Sequence, residues 1–184
     1  FEWIDAYMGS DVFIAGEIPL NLDLKDGLES LDSVETASPI RMIEATWIID
    51  DQTETITLMG IDPTSYVKVA RFVYTDNTID ETQAINDLTL GNRVFVSGVI
   101  REKYGIEPGD DISLRTREGD KTFRVVASVI DFTNQGMVMT VNLDDIQQYY
   151  GVNDADYFYV NVDDRFEIEQ AVTQIKDAFQ KEYQ

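Results

Sequence analysis

The chain has 184 residues, 43% of them apolar, with nine Phe, nine Tyr and two Trp, enough to fill a core without covalent staples. Thirty-five acidic residues against 14 basic ones give a net charge of −21, which argues against nucleic acid and against anionic lipid, since both are polyanions that need Lys and Arg. With no Cys and no His, disulfides, thiolate chemistry, the usual zinc ligands and the commonest general base near neutral pH are all removed, and no cofactor is expected.

In chain order, residues 1–8 place Phe1, Ile4 and Met8 on one helical face and predict the last turns of a helix. Phe1 stands where an initiator Met is expected, so the chain reads as processed or as a domain cut from a longer one. Residues 11–16 (DVFIAG) predict a strand, and Leu24, Leu28 and Leu31 predict a short amphipathic helix. Gly27 inside that helix costs roughly 1 kcal/mol relative to Ala. Two β-rich runs, 41–49 and 53–61, flank Asp50-Asp51-Gln52 and predict a hairpin. Residues 62–91 are less legible: Asp62-Pro63-Thr64 reads as a turn, 67–73 is ambiguous, and Asp80 is placed to cap a helix toward Leu88.

From residue 92 the pattern sharpens. A strand over 94–97 leads to Ser97 as the cap of a helix over 98–104, which Gly105 terminates. Pro108-Gly109-Asp110 turns the chain into strands over 112–116 and 122–130, joined by a hairpin at 117–121. A loop at 134–136, a strand over 137–141, a helix over 143–150 stopped by Gly151 and a strand over 157–162 follow. The final helix, 166–183, carries an apolar stripe of Ile168, Ala171, Val172, Ile175, Ala178 and Phe179.

Charge marks a boundary. Residues 93–124 hold Arg93, Arg101, Lys103, Arg115, Arg117, Lys121 and Arg124, half of all the positive charge in the chain. This predicts an α+β protein of two lobes, an α/β lobe from 1–60 and 133–184 and a β-rich lobe inserted at 61–132.

No reaction is offered by the residues. The acid pairs Asp50-Asp51, Asp110-Asp111, Asp144-Asp145 and Asp163-Asp164 fall at turns and helix starts, where Asp satisfies free backbone N–H groups. Ser97-Gly98 lacks the flanking glycines of a nucleophile elbow, since Phe95 and Val99 stand at those places, and no nucleotide-binding glycine motif occurs. Catalytic, cofactor and metal residues are therefore none. The aromatic group Tyr149, Tyr150, Tyr157, Phe158 and Tyr159 reads as packing, and Phe72, Val73 and Tyr74 read equally as core or as the candidate partner surface.

These residues carry a resemblance. The run VFVSGVIREKYGIEPGDDISLRT, a gap, then KTFRVVASVIDF resembles the extracytoplasmic core domain of FtsX/MacB-type ABC transporter permeases. Lys103, Gly105, Gly109, Asp110, Ile112, Leu114, Phe123, Val125, Val126 and Ala127 sit on that pattern, and Trp3, Gly9 and residues 11–14 look like its opening. The resemblance implies a porter-like lobe of paired βαβ units with a small β-rich lobe inserted. It also implies a noncatalytic domain on the extracytoplasmic face of the membrane, anchored by transmembrane helices outside this chain. Its partners would be a cytoplasmic ABC ATPase, a second permease subunit and a substrate or protein outside the membrane. The alternative reading is a stand-alone secreted or cell-surface binding module, calcium-dependent through its acidic surface.

Overall fold

The computed structural model describes the backbone of residues 2–5 and all of residues 9–179. The chain is mixed α+β and divides into two compact units. The first takes Phe1–Arg41, Thr64–Arg71 and Asn153–Gln184, and the second Met42–Pro63 and Phe72–Val152.

In the first unit, β2 (Val12–Asn21) and the 34–40 half of β3 (Val34–Ile49) both pair antiparallel with β9 (Asp154–Val162). β2 and β3 therefore run parallel on either side of β9, joined by α1 (Leu24–Glu29), which makes a split β-α-β unit. One sheet face presents Val12, Ile14, Phe158, Val160 and Val162 to Leu24 and Leu28 of α1 and to Ala171 and Ile175 of α6 (Ile168–Phe179). The period-two alternation of β2 and β9 produces this face. The opposite face stacks Phe13, Tyr157 and Tyr159, with Tyr66 of α2 (Pro63–Val69) 6.4 Å from Tyr159. Burial there pushes the Tyr157 hydroxyl upward in pKa.

Three sequence expectations for this unit change. Residues Glu2–Asp5 form a strand, β1, paired antiparallel with β2, where a helix was expected. Phe1 and Met8 lie outside the described residues. Backbone pairing to β2 outweighs the helical spacing, which a chain reading cannot weigh against a distant partner. Segment 63–69, read as turn and ambiguous run, is α2, with Pro63 at its first position, where its missing N–H costs nothing. Helix α6 buries only part of the expected stripe, since Ile168 and Ala178 are exposed, and residues 180–183 lie outside the described residues. Gly27 has a packing reason: a Cβ there would stand 3.0 Å from the Phe179 ring.

The second unit is a closed barrel. Residues 42–49 of β3 neighbour β4 (Gln52–Ile61), which pairs parallel with β8 (Val138–Asn142). β8 pairs antiparallel with β5 (Arg93–Ser97), β5 parallel with β7 (Gly119–Val129), and β7 antiparallel with β6 (Asp111–Thr116). β6 returns to β3 through Trp47 opposite Leu114. The ring of six strands covers its own edges. Trp47, Leu58, Phe95, Leu114, Phe123 and Met139 are among its fully buried side chains.

Closure explains why the expected boundary at 61–132 moves. A ring needs β3, β4 and β8 to bridge β5 to β6, so residues 42–60 and 133–152 join this unit. Around it lie α3 (Glu81–Thr89), α4 (Gly98–Tyr104) and α5 (Leu143–Tyr150). Each starts on a side-chain cap: Asp80 accepts the Gln83 N–H at 3.0 Å, Ser97 that of Ile100 at 3.0 Å, and Asn142 that of Asp144 at 3.0 Å. Gly105 and Gly151 end α4 and α5 in the left-handed conformation.

Candidate interaction surface

The residues singled out by the family-like pattern do structural work in the second unit. Gly105 and Gly109 take positive φ, and the Asp110 carboxylate accepts the Glu107 N–H at 2.8 Å. Ile112, Leu114, Phe123, Val125 and Ala127 are buried and Val126 is half-buried, while Lys103 is exposed with its ammonium 4.9 Å from the Tyr104 ring centroid. Together they fix turns and fill a core.

Four of the seven cations in 93–124 form ion pairs within the segment. Arg101 pairs with Glu107 at 2.6 Å, Arg115 with Asp120 at 3.6 Å, Lys121 with Glu118 at 3.5 Å and Arg124 with both oxygens of Asp111. Arg93 donates to the carbonyls of Gly91 and Asn92. With seven basic residues against six acidic ones the segment is close to neutral.

Members of three of the four acid pairs are engaged too, Asp110 and Asp111 as described above. Asp163 chelates the Arg165 guanidinium, which lowers its pKa, and Asp144 sits in the first turn of α5. Asp145 is the exception in kind: it is 4% exposed, and both its oxygens take the Asn92 N–H. Burial pushes its pKa up to about 6, against the lowering effect of the Asn92 hydrogen bond. Among the described residues no group of three or more metal-ligating side chains stands together.

Phe72, Val73 and Tyr74 are split by the fold. Phe72 and Tyr74 are half-buried, both edge-on to Phe95, with centroids at 5.1 and 6.0 Å. Val73 alternates to the other side and is 59% exposed. Their segment adds a single antiparallel bridge to the end of β7, Tyr74 opposite Val129, through Thr75 N–H to Ser128 O at 2.9 Å and Ile130 N–H to Val73 O at 2.7 Å. Such a pair leaves the Tyr74 N–H and C=O directed to the outside of the sheet.

Sequence reasoning missed the neighbours of Val73. Ile130 stands opposite it and is 50% exposed, and Phe132, two residues on, is 77% exposed. Phe132 leads into a 3₁₀ turn, Thr133–Gly136, in which Asn134, Gln135 and Gly136 all have positive φ. Asp131 caps this turn by accepting the Thr133 N–H at 2.8 Å, and the buried Ser97 hydroxyl donates to the Gly136 carbonyl. On its other flank the turn borders an open depression of about 430 Å³ lined by Met42, Ile43, Glu44, Thr55, Thr57 and Asn134. An aromatic residue set among polar turn formers, as in DFTNQG, was the available signal.

Comparison with solved structures gives a consistent fold. The chain aligns with the periplasmic region of MacB from Actinobacillus actinomycetemcomitans at a TM-score of 0.72 and 13% identity, covering 93% of this chain and 82% of that one. It aligns with the extracellular domain of the noncanonic ABC-type transporter YknZ from Gram-positive bacteria at 0.67 and 18% identity, covering 90% and 86%. A domain of a putative permease protein from Porphyromonas gingivalis gives 0.63 and 13%, covering 90% and 78%. No family model and no curated protein matches the sequence. The chain thus shares the fold of these three domains, the kind of fold that the sequence pattern led us to expect. Among the described residues no helix is long and apolar enough to cross a membrane.

Proposed function

We propose that this chain is the extracytoplasmic domain of an ABC transporter permease, a noncatalytic element that couples ATP-driven motion of membrane helices to the handling of a substrate or partner protein outside the membrane. The observation that carries the reading is the fold, matched over at least 90% of this chain to three domains of that kind. In this reading the first unit is a porter-like lobe of paired βαβ units and the barrel is the inserted lobe. ATP is hydrolysed by a separate cytoplasmic ATPase, and a second permease subunit completes the transporter.

The side chains agree with such a role. The buried Asp145 carboxylate holds the Asn92 N–H, Tyr157 lies in a packed aromatic layer, and the residues of the sequence pattern serve the barrel. The test is the complete reading frame. Apolar stretches of roughly 20 residues on both sides of this chain, beside a gene for an ABC ATPase, are the expected result. A secretory signal leading directly into Phe1, with a stop soon after Gln184, overturns it in favour of a stand-alone binding module.

A further inference from the structure

We infer that the face formed by Val73, Ile130 and Phe132, with the depression beside Asn134, is the docking site for an extended segment of another protein, one that carries alternating aliphatic residues between basic flanks. The inference rests on the extracytoplasmic reading only for where the partner is met; the chemistry of the surface is independent of it.

Three observations converge on the second unit. Val73 and Ile130 are large apolar side chains exposed opposite each other, and Phe132, two residues beyond Ile130, is the most exposed of the three. The Tyr74 N–H and C=O point outward from that strand end, so the backbone of an added strand finds a donor and an acceptor there. The turn that presents Phe132 is held in three successive left-handed residues, two of them not glycine, by the Asp131 cap and the Ser97 hydroxyl. Backbone in that region costs of order 1 kcal/mol or more per residue and persists where the surroundings enforce it. The backbone that follows Phe132 is therefore already ordered before any partner arrives, which lowers the ordering cost of binding.

Charge selects the occupant. Asp131 lies between Ile130 and Phe132, Asp76 follows the Tyr74 segment, Glu81 acts on Tyr74 and Glu44 lines the depression. Of the cations near it in sequence or space, Arg101 hydrogen-bonds Thr75 Oγ1 at 3.1 Å and pairs with Glu107, and the exposed Arg71, two residues before Val73, is outnumbered by these four carboxylates. A second copy of this chain, at a net charge of −21, and an anionic lipid surface are both repelled. A basic rim around an aliphatic strand complements the surface in both respects.

The probes are three synthetic peptides offered to the 184-residue chain: a core of alternating Val and Thr flanked by paired Lys, the same core flanked by paired Glu, and a Ser/Thr core flanked by paired Lys. Fluorescence anisotropy reads binding, and calorimetry reads the melting temperature. The expected result is that the Lys-flanked Val/Thr peptide binds, and that Phe132→Ser and Val73→Ser each weaken it about tenfold without moving the melting temperature. Salt raised from about 50 to about 300 mM weakens it further. Equal binding of the Glu-flanked peptide, equal binding of the Ser/Thr peptide, indifference to both substitutions, or binding of none overturns the inference. So does self-association, or binding to phosphatidylglycerol vesicles, that Phe132→Ser abolishes. Failure here with flanking membrane helices present in the reading frame removes the docking site and leaves the permease reading standing.

Discussion

The backbone N–H of Asn92 is shared by the two carboxylate oxygens of Asp145, at 3.0 and 3.2 Å, inside the barrel unit. Asn92 is left-handed, and its side chain accepts from the Tyr149 hydroxyl and donates to Thr122 O, so one acid and one amide tie α5 to β5 and β7. Burial raises the Asp145 pKa to about 6, above its unfolded value. The folded state therefore binds this proton more tightly than the unfolded chain does, and the contribution to stability falls as pH rises from about 4 to about 6. Asp145→Asn removes the titration. Compared with the native chain, the variant is expected to gain about 2 kcal/mol of relative stability between pH 4.5 and pH 7.5, measured by urea unfolding at both pH values.

Gly136 has no room for a side chain. A Cβ there would stand 2.6 Å from the Val99 Cβ, and its φ is +85°. Gly119 has a similar φ of +88° but nothing within 4 Å. Gly119→Ala is expected to cost about 1 kcal/mol from backbone strain alone, and Gly136→Ala about 3 kcal/mol or more. Thermal unfolding of the two variants separates steric overlap from conformational strain.

Ser97 serves two elements with one hydroxyl. It caps α4 through the Ile100 N–H and donates to the Gly136 carbonyl, and it is 1% exposed. Ser97→Ala leaves both backbone groups without this partner, an expected loss of about 2 kcal/mol. Hydrogen exchange at Ile100 should quicken in the variant, and unchanged exchange would contradict the capping role.

Net charge sets the salt response. Thirty-five acidic residues against 14 basic ones repel one another in the compact state. Raising salt from about 20 to about 500 mM should therefore raise the melting temperature, with most of the change complete by about 0.2 M, where the screening length falls below about 8 Å.

What the chain disclosed of itself follows the range of the interactions involved. The caps at Asp80 and Ser97 and the stops at Gly105 and Gly151 depend on residues within one turn, and the sequence placed each of them; the Asn142 cap is equally local but was not singled out. Strand β1, the closure of β6 onto β3 and the parallel pairing of β4 with β8 depend on partners far away in the chain, and each was missed. β2 runs on through Gly16 and Pro19 because a register shift between Ala15 and Leu20 accommodates them, which no local rule forecasts. For the surface, composition singled out 72–74, but only pairing with β7 reveals which of the three faces outward and that Ile130 and Phe132 extend it.

The central claim is an extracytoplasmic domain of a membrane transporter, and its most direct test uses the absence of Cys from this chain. A single Cys is placed at Glu118, in the exposed turn between β6 and β7, in the full-length protein freed of any other cysteine. Intact cells are then treated with a membrane-impermeant maleimide. Labelling of the intact cells, to the same extent as after lysis, is the predicted result; labelling only after lysis contradicts the account.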